Sequence, residues 1–211
     1  MSESKIGYTT YQGRSEWYIR RWGKPIRVKK TFMEDGTTRL GIMTFAPGSD
    51  RSIKPHWIYA TNGISERRMP CERRPHGDPS HRIELVACAR EASDWVAELL
   101  IEMAHYPFHH RSGLNIGHTV PVTPRPGNLW DGYLLSWPLC EPDDFNPLAI
   151  DIGIEDWVFF AQVIGLKTDE LDVAMRIGGP AFMKRVVVKN CGIDLSPLDV
   201  DRVSLLSGRR A

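Results

Sequence analysis

Apolar and polar positions alternate along IRVKKTFM (26–33) and again along TRLGIMTFA (38–46), with EDGT between them. A period of two on both sides of Asp35-Gly36 predicts a β-hairpin with a tight turn at that dipeptide. HWIYATNGIS (56–65) starts with aromatic and β-branched residues and predicts a strand ending near Gly63. HRIELVACA (81–89) is apolar on both faces, the pattern of a central strand. The period then changes. In SDWVAELLIEMAHY (93–106), Trp95, Leu99 and Met103 recur every fourth residue, with Val96 and Leu100 beside them and Asp94, Glu98 and Glu102 opposite. That predicts an amphipathic helix capped by Ser93, which Pro107 should end at Tyr106.

Further strands are expected at WDGYLLSW (130–137) and WVFFAQVI (157–164). Thr168 is placed to cap a helix over TDELDVAMRI, Gly178-Gly179 to stop it, and Pro180 to open another over PAFMKRVVVKN. YQGRSEWYIRRWG (11–23) reads as helical, and a short strand is expected around Val203–Leu206. Runs of strands, one middle helix and two closing helices predict an α+β fold rather than a doubly wound parallel sheet.

A chain of 211 residues, 42% apolar and 25% charged, fits one domain over 1–211 with a substantial core. The net charge of +1 supplies no global field toward nucleic acid or an anionic membrane. Cys71, Cys88, Cys140 and Cys191 form no C-x-x-C pair, and read as reduced thiols. MSESKIGYTTYQGRSE has no apolar core of leader length, and no run approaches the ~20 apolar residues of a membrane span, so a cytoplasmic protein is expected.

The densest candidate chemistry is HHRSGLNIGHTVPV (109–122). His109 or His110 with His118 and a carboxylate would make a metal-dependent hydrolase, but adjacent histidines on extended chain face opposite ways, and no H-E-x-x-H or C-x-x-C stands nearby. Gly113 and Gly117 form no phosphate loop, lacking the lysine and the following helix. Loop histidines and turn glycines are the plainer reading, with no metal and no cofactor. No serine or cysteine lies in a nucleophile signature, so catalysis is not expected. Asp143-Asp144, Asp151 and Glu155-Asp156 could pair as acid and base, but read as turn formers or solvated loop. Arg67, Arg68, Arg73, Arg74 and Arg82 could meet phosphates, yet Glu66, Glu72 and Asp78 dilute them and no aromatic residue interleaves for base stacking; a long exposed loop is expected instead.

One charge feature stands apart. From Pro126 to Leu166 there is no Lys, Arg or His, while Asp131, Glu141, Asp143, Asp144, Asp151, Glu155 and Asp156 contribute seven negative charges. If they share a face, they form a patch able to steer a basic partner; a merely solvated acidic edge fits composition equally well.

Four segments in order resemble the Suppressor of fused-like family: HWIYATNGIS, HRIELVACAR with Glu84 at its centre, SDWVAELLIEMAHYPFHHRSGLNIGHTVPV, and WVFFAQVIGLKTDELDVAMRIGGPAFMKRV. The resemblance covers about 50–190, leaving 1–23 as an N-terminal helical extension and 191–211 as a tail packed on the domain or fraying from it. The arginine-rich loop and Pro107 depart from the family pattern. The resemblance implies a mixed, largely antiparallel sheet packed with a middle helix and two C-terminal helices. It also implies a non-catalytic protein-binding module without cofactor, which grips a partner protein or short peptide by strand addition. Stand-alone bacterial members are thought to be immunity proteins that neutralise toxins, so a basic toxin domain is the expected partner, with neither nucleic acid nor membrane. WPLCEPDD (137–144) resembles the region near the family's peptide groove, making Glu141, Asp143 and Asp144 the candidate contacts.

Overall fold

A computed structural model describes residues 11–48, 56–70, 82–122, 130–137, 149–151, 157–187, 198 and 201–206. The chain begins with α1 (Tyr11–Trp22), then forms the hairpin β1 (Arg27–Phe32) and β2 (Arg39–Phe45), β3 (Trp57–Asn62) and β4 (Ile83–Ala89). The middle helix α2 (Asp94–His109) leads to β5 (Thr119–Pro121), β6 (Gly132–Ser136), β7 (Ala149–Asp151) and β8 (Trp157–Leu166). Helices α3 (Thr168–Ile177) and α4 (Gly179–Phe182) close the fold, α4 running on as a π-helical turn over Met183–Val187. The strands form one sheet in the order β1-β2-β3-β4-β8-β6-β5, with β7 also on β8. Among the described residues only the β4–β8 pairing is parallel. The α+β class and the mixed, mainly antiparallel sheet match expectation.

Strand alternation divides the core. Leu40, Ile42, Tyr59, Leu85, Ala87, Leu135, Ala161 and Val163 pack under α2 through Val96, Leu99, Leu100 and Met103. The opposite face carries Met43, Phe45, Ala60, Val86, Cys88, Val158 and Phe160, covered by Trp17, Tyr18 and Trp22 of α1. Farther along that face, Leu134, Ile164 and Leu166 meet Ala174, Phe182, Val186 and Leu205. β4 is buried at every residue, as its uninterrupted apolar pattern requires.

Four expectations fail for identifiable reasons. α2 does not stop at Tyr106 but carries Pro107 inside it and ends at His109. An internal proline costs about 3 kcal/mol through its lost N–H bond and ring clash. Here Pro107 is buried and Phe108 packs on the core, and the next amides recover acceptors: His110 N–H bonds Tyr106 O at 3.0 Å and Ser112 N–H bonds Pro107 O at 3.0 Å. Asp151 lies in β7 opposite Trp157 rather than in a solvated loop. Val203–Leu206 form no strand; this stretch is turn and coil, anchored by buried Arg202 and Leu205. Helix α3 is capped at Lys167 rather than Thr168: the Lys167 N–H bonds Glu170 Oε2 at 3.0 Å, while the Thr168 hydroxyl bonds Asp131 at 2.7 Å.

Two buried carboxylate–guanidinium pairs join distant parts of the chain. Glu84 accepts from Gly63 N–H (2.9 Å), Ser65 N–H (3.2 Å), the Ser65 hydroxyl (2.6 Å) and the Thr61 hydroxyl (2.6 Å), with Arg14 Nε at 3.3 Å. Arg14 also bonds Asn62 Oδ1 and Glu66, which ties α1 to the end of β3. Gly63 is required there: its φ is +131°, and a Cβ would lie 2.0 Å from Arg39 O. At the other end of the sheet, Arg202 grips Glu170 through both oxygens at 2.6 Å, bonds Gly165 O and lies over Trp130.

Buried phenols give the fold an alkaline limit. Burial pushes the Tyr133 hydroxyl up to about 12, with Glu102 adding to the effect, and burial pushes fully enclosed Tyr18 well above the usual range. A raised native value means full stability below the unfolded phenol's pKa of about 10, lost as pH climbs through the native one. The thermal midpoint should therefore fall between pH 10 and 12, and fall less in Tyr133→Phe. Melting curves across that window check it; an identical decline in the variant would contradict it.

Candidate partner-binding site

β8 has ten residues and is flanked differently on its two edges. On one, β4 pairs with Phe159–Gln162. On the other, β6 runs from Leu166 down to Gln162, and β7 covers Phe159 to Trp157. Ser136 therefore lies opposite Gln162 and Ala149 opposite Phe159. β6 and β7 are two pieces of one edge, and the chain between them leaves at Trp137 and returns at Ala149. Among the described residues nothing pairs with Phe160 or Ala161 on that side. Both side chains are buried.

The expected contacts fall in the connection between β6 and β7. Glu141, Asp143 and Asp144 lie outside the described residues, as do Glu155 and Asp156. Trp137, at the point of departure, is 40% exposed, while its neighbour Ser136 is buried and bonds Trp137 O at 2.9 Å. An exposed tryptophan held on a rigid strand end is the kind of side chain that anchors interfaces. Asp131 does not join this region. It stands at the far end of β6, where it accepts from Thr168, roughly 17 Å along a strand of this length.

The opening candidate, HHRSGLNIGHTVPV, separates into parts. His109 is the last residue of α2, and its Nε2 meets Glu34 Oε1 at 2.6 Å. His110 caps the helix with its ring 4.4 Å from that of Tyr106. Arg111 takes the left-handed conformation (φ 47°) that turns the chain out. Gly117, at φ 84°, packs against Pro180 and donates to Leu135 O at 2.7 Å. His118 feeds β5, and its carbonyl accepts from Leu135 N–H at 2.9 Å. The expected ligand set of His109 or His110 with His118 is thus not assembled. Among the described residues, the ligand atoms that converge belong to Glu34, His105 and His109. Sequence reasoning missed His105 because it ended the helix one turn early; the i, i+4 histidine spacing was the signal.

Of the arginines once considered for phosphate contact, Arg67 pairs with Asp35 at 3.2 Å and lies 4.5 Å over the Phe108 ring, and Arg82 bonds Ser65 O at 2.5 Å. These three contacts are internal to the fold. Arg73 and Arg74 lie outside the described residues. No helix among the described residues is long and apolar enough to cross a membrane.

A mixed, mainly antiparallel sheet with helices packed on both faces defines the structural class. The family model for Suppressor of fused protein matches residues 36–202, and the chain belongs to that family. Solved structures agree on the fold. The Sufu–Fu complex crystal structure matches with a TM-score of 0.64 at 19% identity, covering 94% of this chain and 91% of that one. Drosophila Suppressor of Fused matches at 0.63 and 19%, covering 95% of this chain and 51% of that one. A putative homologue from Neisseria gonorrhoeae matches at 0.63 and 15%, covering 92% and 96%. No curated protein sequence matches the chain.

Proposed function

We propose that this chain is a non-catalytic protein-binding module of the cytoplasm that occludes one partner protein stoichiometrically, and that the partner is a toxin it neutralises. The observation that carries the binding reading is exposed Trp137 at the end of β6, where the acidic connection to β7 begins, in a chain of the Suppressor of fused family. Strand addition, in which backbone hydrogen bonds supply affinity and side-chain pockets supply selectivity, is the binding mode expected of such a module. The acidic residues Glu141, Asp143 and Asp144 belong to the connection between β6 and β7 and favour a basic partner. Two further facts support a binding role: a related structure is a complex of Sufu with Fu, and the buried carboxylates Glu84 and Glu170 are saturated by structural donors.

A regulator that sequesters a peptide motif would use the same surface, so the two readings separate by partner. Capture from the native cell on immobilised protein, followed by one-to-one reconstitution, tests them. A captured protein that is toxic when expressed alone and harmless with this chain supports neutralisation. A harmless partner leaves sequestration, and failure to reconstitute a one-to-one complex contradicts both.

A further inference from the structure

We propose that Glu34, His105 and His109 form a binding site for one divalent transition-metal ion. The three residues come from two elements: Glu34 from the β1–β2 turn, His105 and His109 from the last turns of α2. Residues four apart on a helix share a face, so the two imidazoles stand side by side, their ring centres 6.1 Å apart. This pairing exists only because α2 continues through Pro107, which keeps His109 helical.

The geometry suits a metal. Glu34 Oε1 lies 2.6 Å from His109 Nε2 and 3.7 Å from His105 Nδ1, and the three ligand atoms all fall within 4.8 Å of one another. Tetrahedral zinc with bonds of about 2.1 Å holds its ligand atoms roughly 3.4 Å apart. Small side-chain rotations reach that spacing, opening the His109–Glu34 contact and closing the widest gap. Two imidazoles and one carboxylate select zinc, nickel, cobalt or copper over magnesium or calcium, which prefer all-oxygen shells. With three protein ligands, a fourth position is left for water or an outside group.

The surroundings hold the ligands ready. Asp35, next to Glu34, accepts from Thr37 N–H (2.9 Å), Thr38 N–H (2.8 Å) and the Thr38 hydroxyl (2.6 Å). Arg67 clamps Asp35 and lies over Phe108, which sits between the two histidines in sequence. Hairpin tip and helix exit are therefore tied together before any ion arrives, and the ion would act as a clasp between them. Ligands on two elements link binding to folding, so the unfolding temperature should rise with the logarithm of free metal above its Kd.

Calorimetric titration of untagged protein with zinc chloride, alongside magnesium chloride, tests this. One zinc per chain and a raised melting temperature are expected, with neither from magnesium. His105→Ala and His109→Ala should each weaken zinc binding by at least about 10- to 100-fold, the loss seen even when a hydrogen bond to a ligand is removed. His110→Ala and His118→Ala should leave it unchanged. Imidazole NMR on the unaltered protein gives a readout that needs no variant: zinc should shift His105 and His109. No saturable zinc binding, shifts confined to other histidines, or binding that survives the His105→Ala/His109→Ala double variant would overturn the proposal.

Discussion

Replacing Glu84 with alanine should lower the unfolding midpoint by roughly 6–20 °C, the equivalent of breaking a buried ion pair worth about 3–5 kcal/mol in a domain of this size. Glu84 is completely buried and collects five donors, four of them from the stretch Thr61–Ser65. Its removal strands Gly63 N–H and Ser65 N–H, each worth about 1–3 kcal/mol when left unsatisfied in the interior. The Thr61 hydroxyl suffers less, since its proton can turn to Leu85 O at 3.4 Å. Arg14 keeps Asn62 and Glu66, so α1 should loosen from the sheet without detaching. Glu84→Gln retains an acceptor for part of this set and should lose less than alanine. Calorimetry on the two variants checks the order. A loss below about 1 kcal/mol in Glu84→Ala would mean that the network does not hold the β3 end and α1 together, since surface-like substitutions fall in that range.

The same network shows where sequence reading stops. The hairpin around Asp35-Gly36, the central strand at 83–89 and the strand ending at Gly63 were legible, because each depends on local period and turn chemistry. The pairing of Arg14 with Glu84, or of Arg202 with Glu170, leaves no local trace: a buried guanidinium looks like any surface arginine until the fold brings its carboxylate to it. Pro107 misled in the opposite direction. The local rule ends a helix there, but burial of Pro107 and packing of Phe108 outweigh it, and the additional turn is what aligns His109 with His105. β7 was missed because three residues are too few to show alternation; its existence depends on β8 offering a free edge. For the candidate site, the sequence pointed to the acidic connection, and the fold adds the strand ends that bracket it and exposed Trp137. Neither the period nor the composition could show that β6 and β7 share one edge.

The second large effect concerns association. Glu141, Asp143 and Asp144 account for three of the seven negative charges in a segment that has no positive ones, within a chain of net charge +1. If this connection meets a basic partner, its field acts before contact: steering by complementary charge raises on-rates by about 10- to 1,000-fold at low ionic strength. Reversing all three to lysine changes the local charge by six units and turns attraction into repulsion. The on-rate at low salt should drop by roughly 10- to 100-fold, within the range that steering supplies. Added salt should shrink the difference, since the screening length falls from about 10 Å at 0.1 M to about 3 Å at 1 M. Trp137, untouched in this variant, should keep the dissociation rate of complexes that do form close to that of the unaltered protein, because buried anchors govern koff more than rim charges do.

The most direct test of partner binding through the acidic connection is therefore the association rate of the captured partner with the unaltered protein and with Glu141→Lys/Asp143→Lys/Asp144→Lys, measured by stopped flow at low and high salt. The account predicts a slow on-rate for the variant at low salt and convergence of the two proteins at high salt. Equal on-rates at low salt would contradict it.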